Sequence, residues 1–378
     1  MKFRKRSIKV GLCFGSVLLT LAFSEVALRI YHSSVKASKV QDHPIPLHIV
    51  TDAPDLYELN PNHPDISSQG TRDDAVVVPK PPGTLRILVL GDSIAYGATF
   101  PRNDTFPNRM ERKLRSEFGS VDVINSAVMG YSPYNELQYY LTRGKTFEAD
   151  IVVVAFCMND IVNPRLHWGD APGVKIPDEA IPNLEYDRSH ILPKIQQLRD
   201  EQARSAQGRG FLKDSELYQA LEKALKRLSQ NKPKHYPVNS SGVPTLVTAE
   251  DSLSIEVLLD RSTPEWRWLA SMYDRLAATV KADGAKLVIV IFPLAYQLDP
   301  NYPYLPQTKI LEYCKEKSLP CLDLLPAFRQ HPKEDIFLLD KEVFYDIWHL
   351  TNYGHELSSE EILRFLDQQS LLPKKEKT

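Results

Sequence analysis

Three short apolar runs, 85–90, 151–156 and 287–292, constrain this chain more than any other feature. They are apolar at nearly every position rather than at every second one. That pattern suits strands buried on both faces, which belong to parallel sheets with helices above and below. Segments with helical spacing alternate with them. The spacing predicts helices over 104–118, with Phe106, Met110 and Leu114 on one face, and over 132–145, 264–283, 308–318 and 352–366. Pro264 suits a first helical turn, and Gly284 suits the stop. Further strands at 121–127 and 321–325 bring the number to five. The expected architecture is therefore α/β, a five-stranded parallel sheet covered on both faces.

In such sheets ligands bind at the carboxyl ends of the strands. Ser93 follows the first strand, Gly130 the second and Asn159 the third, while Asp346 and His349 follow the fifth. All of them fall on one edge. A serine hydroxyl becomes a nucleophile only with a base beside it and a group that orients the base. Alone, a strand-end Ser reads as a helix cap, an Asn after a strand as a turn residue, and Asp-x-x-His as a surface turn. Together they describe a hydroxyl, an imidazole and a carboxylate with complementary roles. Asp92 and Asp160 read as structural acceptors. His355 lies six residues after His349 and completes no zinc motif, so it reads as a helix-surface or supporting residue.

The motifs Gly91-Asp92-Ser93, Asn125-Ser126-Ala127-Val128-Met129-Gly130, Asn159-Asp160 and Asp346-Ile347-Trp348-His349 occur in this order. In them the chain resembles the SGNH (GDSL-type) hydrolases, over roughly residues 85–166 and 285–366. The resemblance implies a three-layer, flavodoxin-like α/β/α fold. It implies a serine esterase with Ser93 as nucleophile, His349 as base and Asp346 as its orienting partner. It assigns the oxyanion hole to the Ser93 and Gly130 backbone N–H groups and the Asn159 side-chain amide, with no metal or organic cofactor. Ala127 and Cys157 stand where that family usually has Gly, adding bulk near the site. His167 and Trp168 follow the third motif and would either line the acyl or sugar pocket or pack.

Outside these blocks the chain divides further. Lys2, Arg4, Lys5, Arg6 and Lys9 precede an uncharged stretch from Val10 to Ser24. That stretch is about 15 residues, where a membrane span needs about 17–25. Apolar residues continue to Tyr31, and Glu25 and Arg29 are spaced to pair along a helix, so residues 1–33 read as a membrane anchor in preference to a signal peptide cleaved after Ser24. Either reading puts the remainder outside the cytoplasm, periplasmic or extracellular. Residues 34–83 read as a stalk and irregular lead-in, 84–370 as the hydrolase domain and 371–378 as a basic tail. The α/β rhythm breaks over about 165–262, which reads as an inserted lid-like region. Cys314 and Cys321 could pair in an oxidising compartment, but the favoured reading is separate buried thiols.

A net charge of −2 gives no global field for nucleic acid, and no recognition module for it is present. The expected partners are an acylated carbohydrate or lipid substrate and, through the N-terminal helix, a membrane; no motif points to a protein partner. The leading function is an extracytoplasmic deacylase. The same residues would serve an O-acyltransferase of envelope polysaccharide, and a non-catalytic glycan-binding scaffold is the third alternative.

Overall fold

In a computed structural model of the chain, the described residues are 45–51, 54–98, 100–161, 177–181, 260–300, 302, 305–339 and 346–374, with isolated positions in 1–44 and 182–259. The chain divides into two compact units, Met1–Pro44 with Pro193–His235 and Ile45–Leu192 with Tyr236–Thr378. Among the described residues of the first unit, Arg29 and Glu25 form the expected i,i+4 ion pair at 2.8 Å. No helix among the described residues is long and apolar enough to cross a membrane. Most of the expected anchor lies outside the described residues, as do His167, Trp168 and most of the inserted region.

The second unit opens with β1 (His48–Val50) and β2 (Tyr57–Leu59), an antiparallel pair within the lead-in that the sequence reading treats as irregular. Strands of three residues are too short to display a period of two. The main sheet consists of β3 (Leu85–Gly91), β4 (Val121–Asn125), β5 (Ile151–Cys157), β6 (Lys286–Phe292) and β7 (Cys321–Asp323), in the spatial order β4-β3-β5-β6-β7. Every neighbouring pair is parallel. This is the flavodoxin-like order, with its switch point between β3 and β5.

Between and after the strands run α1 (Ser93–Tyr96), α2 (Phe106–Phe118), α3 (Pro133–Thr142), α4 (Pro264–Ala282), α5 (Gln307–Lys317), α6 (Leu325–Phe328), α7 (Lys333–Ile336) and α8 (Asn352–Gln368). The order reverses direction between β3→β4 and β4→β5. Right-handed crossovers therefore put α2 and α3 on opposite faces. α8 packs beside α2 and α4 beside α3, giving three layers. The central strands are sealed on both sides: Val152 to Cys157 and Val288 to Ile291 are completely buried.

Several boundaries differ from the sequence reading, each for a local reason. α2 begins at Phe106, after a 3₁₀ turn at Arg102–Asp104, with Pro107 in its first turn. α3 ends at Thr142, and a second 3₁₀ turn, Gly144–Phe147, follows. β7 stops at Asp323, whose carboxylate accepts the Leu325 N–H and starts α6. The expectation of separate thiols is corrected: Cys314 on α5 and Cys321 on β7 form a disulfide, their Cα atoms 6.1 Å apart. Ser318 takes a left-handed conformation after α5 and turns the chain back, which brings helix and strand cysteines together.

A charge inside the second strand position of β3 was hidden in the apolar run. Arg86 is completely buried. Its Nε and Nη2 donate to Asp122 Oδ2 at 3.0 and 2.7 Å, Nη1 to the Phe147 carbonyl at 2.8 Å, and Nη2 also to the Val77 carbonyl at 2.9 Å. The guanidinium pins β4, the α3–β5 connection and the lead-in to the amino end of the sheet. Removing one member of a buried pair strands the other, which typically costs about 3–5 kcal/mol. Arg86→Met is expected to lower the urea unfolding free energy by about 3 kcal/mol, because Asp122 keeps partial solvent access. A loss below about 0.5 kcal/mol would contradict this role.

Candidate active site

The turn that carries Ser93 begins with a glycine that has no room for a side chain. Gly91 pairs with Ala155 of β5, and a Cβ on Gly91 would lie 3.0 Å from the Ala155 Cβ and 3.1 Å from the Ala95 Cβ. The chain can therefore turn sharply at the end of β3 only with glycine there. Asp92 then caps α1 through its Oδ1, which accepts the Ile94 N–H at 2.9 Å. This removes the capping role from Ser93, the first residue of that helix, and frees its hydroxyl. Gly97 ends the helix in the left-handed region at φ 71°, its N–H donating to the Ser93 carbonyl at 2.9 Å.

The hydroxyl meets the last motif. His349 Nε2 lies 2.8 Å from Ser93 Oγ, and His349 Nδ1 lies 2.7 Å from Asp346 Oδ2. The other carboxylate oxygen accepts the backbone N–H groups of Trp348 and His349 at 3.1 and 2.9 Å. Backbone bonds fix the segment on both sides. Ala295 N–H donates to the Ile347 carbonyl at 3.0 Å, and Leu338 N–H to the His349 carbonyl at 2.9 Å. Asp346 can accept but not donate when ionised, so it selects the tautomer with the proton on Nδ1 and leaves Nε2 as an acceptor for the Ser93 proton. The side chains of His349 and Asp346 are 28% and 18% exposed, so the imidazole is open to solvent on one side.

Electrostatics agree with that arrangement. Burial lowers the His349 pKa, but the hydrogen bond and charge of Asp346, with a further contribution from Asp92, hold it above the ordinary 6.5. Burial raises the Asp346 pKa, and its bonds to His349 and Trp348 outweigh that and keep it below the ordinary 3.8.

Gly130 follows β4 in the left-handed region at φ 77°. The loop before it is tied to the Ser93 turn by Val128 N–H, which donates to the Gly91 carbonyl at 3.1 Å, and to the lead-in by Tyr57 Oη, which donates to the Met129 carbonyl at 3.1 Å. Asn159 lies in the 3₁₀ turn Met158–Ile161 directly after β5; its side chain lies outside the described residues. Asp160 closes that turn, Oδ2 accepting the Cys157 N–H at 2.8 Å. The Ser93, Gly130 and Asn159 backbones thus follow three adjacent strands at the switch point. Ala127 and Cys157 are both completely buried beneath them.

His355 is buried rather than on a helix surface. It packs edge-on to Phe100 and stacks near Phe106, and burial, aided by Arg109 and Arg72, lowers its pKa to about 3. It is a neutral packing group under the site.

Glu136 on α3 escaped the sequence reading because a single Glu on an amphipathic helix looks solvated. It is completely buried, and neither carboxyl oxygen has a hydrogen-bond partner among the described residues. Asp92 and Asp160 are electrostatic neighbours, and the Tyr273 hydroxyl lies within the same field. Burial, then repulsion from Asp92, pushes Glu136 up to about 8. Asp160 is raised well above its ordinary range by burial and by Glu136 and Asp92.

A model of the GDSL-like lipase/acylhydrolase family matches residues 89–357. The chain belongs to this family. It is accordingly an ester-cleaving enzyme. No curated protein sequence matches the chain. Among solved structures similar to this acylhydrolase is LAE5, an α/β hydrolase enzyme from the metagenome of Lake Arreo, Spain, at 9% identity and a TM-score of 0.40, covering 75% of this chain and 95% of that one. The lipase/acylhydrolase from Enterococcus faecalis is another, at 14% identity and a TM-score of 0.39, covering 78% and 100%. A third is a two-domain esterase active on acetylated mannans, at 12% identity and a TM-score of 0.36, covering 78% and 52%.

The acidic cluster sets a pH dependence of stability. The folded acylhydrolase holds the Glu136 proton up to about 8, whereas an unfolded chain releases it near the ordinary 4.5. Between those values the folded state binds more protons, so stability falls as pH rises. Urea midpoints measured across this interval should fall less steeply for Glu136→Gln than for the wild-type chain. Parallel curves would show that Glu136 is ionised in the folded state.

Proposed function

We propose that this acylhydrolase is an extracytoplasmic serine esterase that removes acyl groups, acetyl in particular, from a carbohydrate or lipid. The single observation that carries the reading is the 2.8 Å approach of His349 Nε2 to Ser93 Oγ, with Asp346 on the other ring nitrogen.

Ser93 Oγ attacks the ester carbonyl carbon while His349 Nε2 takes its proton, forming a tetrahedral intermediate whose oxygen carries the negative charge. Asp346 keeps the proton on Nδ1 and stabilises the imidazolium. The backbone N–H groups of Ser93 and Gly130 and the Asn159 side-chain amide receive the oxyanion. The C–O bond to the alcohol then breaks, and the imidazolium returns its proton to the leaving oxygen. Water attacks the acyl-serine with His349 again as base, releasing the free acid and restoring the Ser93 hydroxyl.

Location outside the cytoplasm is supported by the basic N-terminus and the apolar stretch behind it, which we read as an uncleaved anchor. The Cys314–Cys321 disulfide also suits an oxidising compartment. The inserted region, by its length and its position after the Asn159–Asp160 turn, is proposed as a lid beside the site.

With p-nitrophenyl acetate the wild-type protein should release an initial burst of nitrophenol. Ser93→Ala and His349→Ala should each reduce kcat by at least about 10³-fold. Variants that retain wild-type turnover would overturn the assignment. Because the base must be neutral, kcat/KM should rise with pH through an inflection above 6.5, and Asp346→Asn should move that inflection downward. An inflection that stays in place would show that Asp346 does not act on the imidazole.

A further inference from the structure

The nucleophile stands on a helix of one turn, and a helix that short has no stability of its own. Its last carbonyls have no partners within it. The structure satisfies them from outside. Asn125 Nδ2 donates to the Ala95 carbonyl at 3.0 Å. Arg72 supplies the rest: Nη1 donates to the Tyr96 carbonyl and, at 2.8 Å, to the Gly97 carbonyl, and Nη2 to the Phe100 carbonyl at 2.6 Å. The guanidinium also lies over the Tyr96 ring, 4.0 Å from its centre.

Arg72 is 3% exposed and makes no ion pair with a carboxylate among the described residues. Burying a cation is costly unless its donors are used. Here the Nη1 and Nη2 donors are spent on the carbonyls that end α1 and begin the loop after it, while Nε has no partner among the described residues. The same segment also grips the neighbouring strand. Arg72 N–H donates to the Asn125 carbonyl at 2.9 Å, and Asp73 Oδ2 accepts the Asn125 N–H at 2.5 Å. Asn125 Oδ1 in turn accepts the Ala127 N–H at 3.2 Å, at the start of the loop that leads to Gly130. One short stretch of the lead-in therefore touches both the Ser93 turn and the root of the Gly130 loop. It lies before residue 89, where the family match begins.

We propose that Arg72 is a positioning residue for the nucleophile: its guanidinium holds the carbonyl end of α1 so that Ser93 Oγ stays within reach of His349. The proposal rests on the reading of Ser93 as nucleophile. Its effect belongs to the chemical step, because a displacement of about 1 Å at a reacting atom can cost about 10²-fold in rate.

The test uses the full chain with Arg72→Lys and Arg72→Gln, assayed with p-nitrophenyl acetate beside the wild-type chain and Ser93→Ala. Circular dichroism establishes folding at the assay temperature. The expected result is a fall in kcat of about 10- to 100-fold with KM changed less than about twofold, smaller for Lys than for Gln. In a third variant, Arg72→Ala, millimolar guanidinium ion should restore part of the lost kcat, which a purely structural role would not produce. Folded variants with kcat within about twofold of wild type, a change confined to KM, or failure of both variants to fold would each overturn the assignment. Failure of the underlying reading looks different: the wild-type chain would then give no burst, and Ser93→Ala would be as active as wild type.

Discussion

The parallel register of β3 against β5 is the constraint from which the site follows. Strands sealed on both faces leave only their ends for chemistry, and Gly91 against Ala155 sets how closely two of those ends approach. The turn after β3 then carries Ser93 at the switch point, beside the turns after β4 and β5. His349 arrives separately, on the segment that leads into α8, and α8 packs beside α2 on one face of the same sheet. Residues 256 apart in sequence are brought within hydrogen-bonding distance by layer packing, not by local structure.

Buried charge is handled in opposite ways at the two ends of the sheet. At the amino end Arg86 has a carboxylate and two carbonyls, so its burial is compensated. At the carboxyl end Glu136 has neither oxygen paired, Asp160 has one left over, and the Tyr273 hydroxyl lacks a partner among the described residues. An unmade buried hydrogen bond costs about 1–3 kcal/mol. Burial and mutual repulsion raise both Glu136, to about 8, and Asp160, which favours their neutral forms.

The sheet was legible in the sequence because strands buried on both faces write near-continuous apolar runs, and β3, β5 and β6 are strands of seven residues each. The motifs that carry Ser93, Gly130 and Asn159 were legible because each follows a strand, whereas Asp346 and His349, more than 20 residues beyond β7, were legible from their motif and its place in the order. What was not legible had no local signature. Arg72 and Asp73 sit in a stretch whose composition reads as loop, and only their burial distinguishes them. Glu136 obeys helical spacing, and its completely buried state depends on α4 covering α3. The disulfide joins a helix to a strand, which secondary structure alone argued against. β1 and β2 carry too few residues to show a pattern. In each case tertiary packing decides, and the sequence records it only as ordinary residue types.

The account depends most on Ser93 being activated by His349. A fluorophosphonate reacts far faster with a serine whose hydroxyl has such a base than with an unactivated one, so reaction of the full chain followed by peptide mass analysis tests this directly. The account predicts a stoichiometric adduct on the peptide containing Ser93, and its loss in a folded His349→Ala variant. A folded wild-type chain that stays unmodified, or one modified at a different serine, would contradict it.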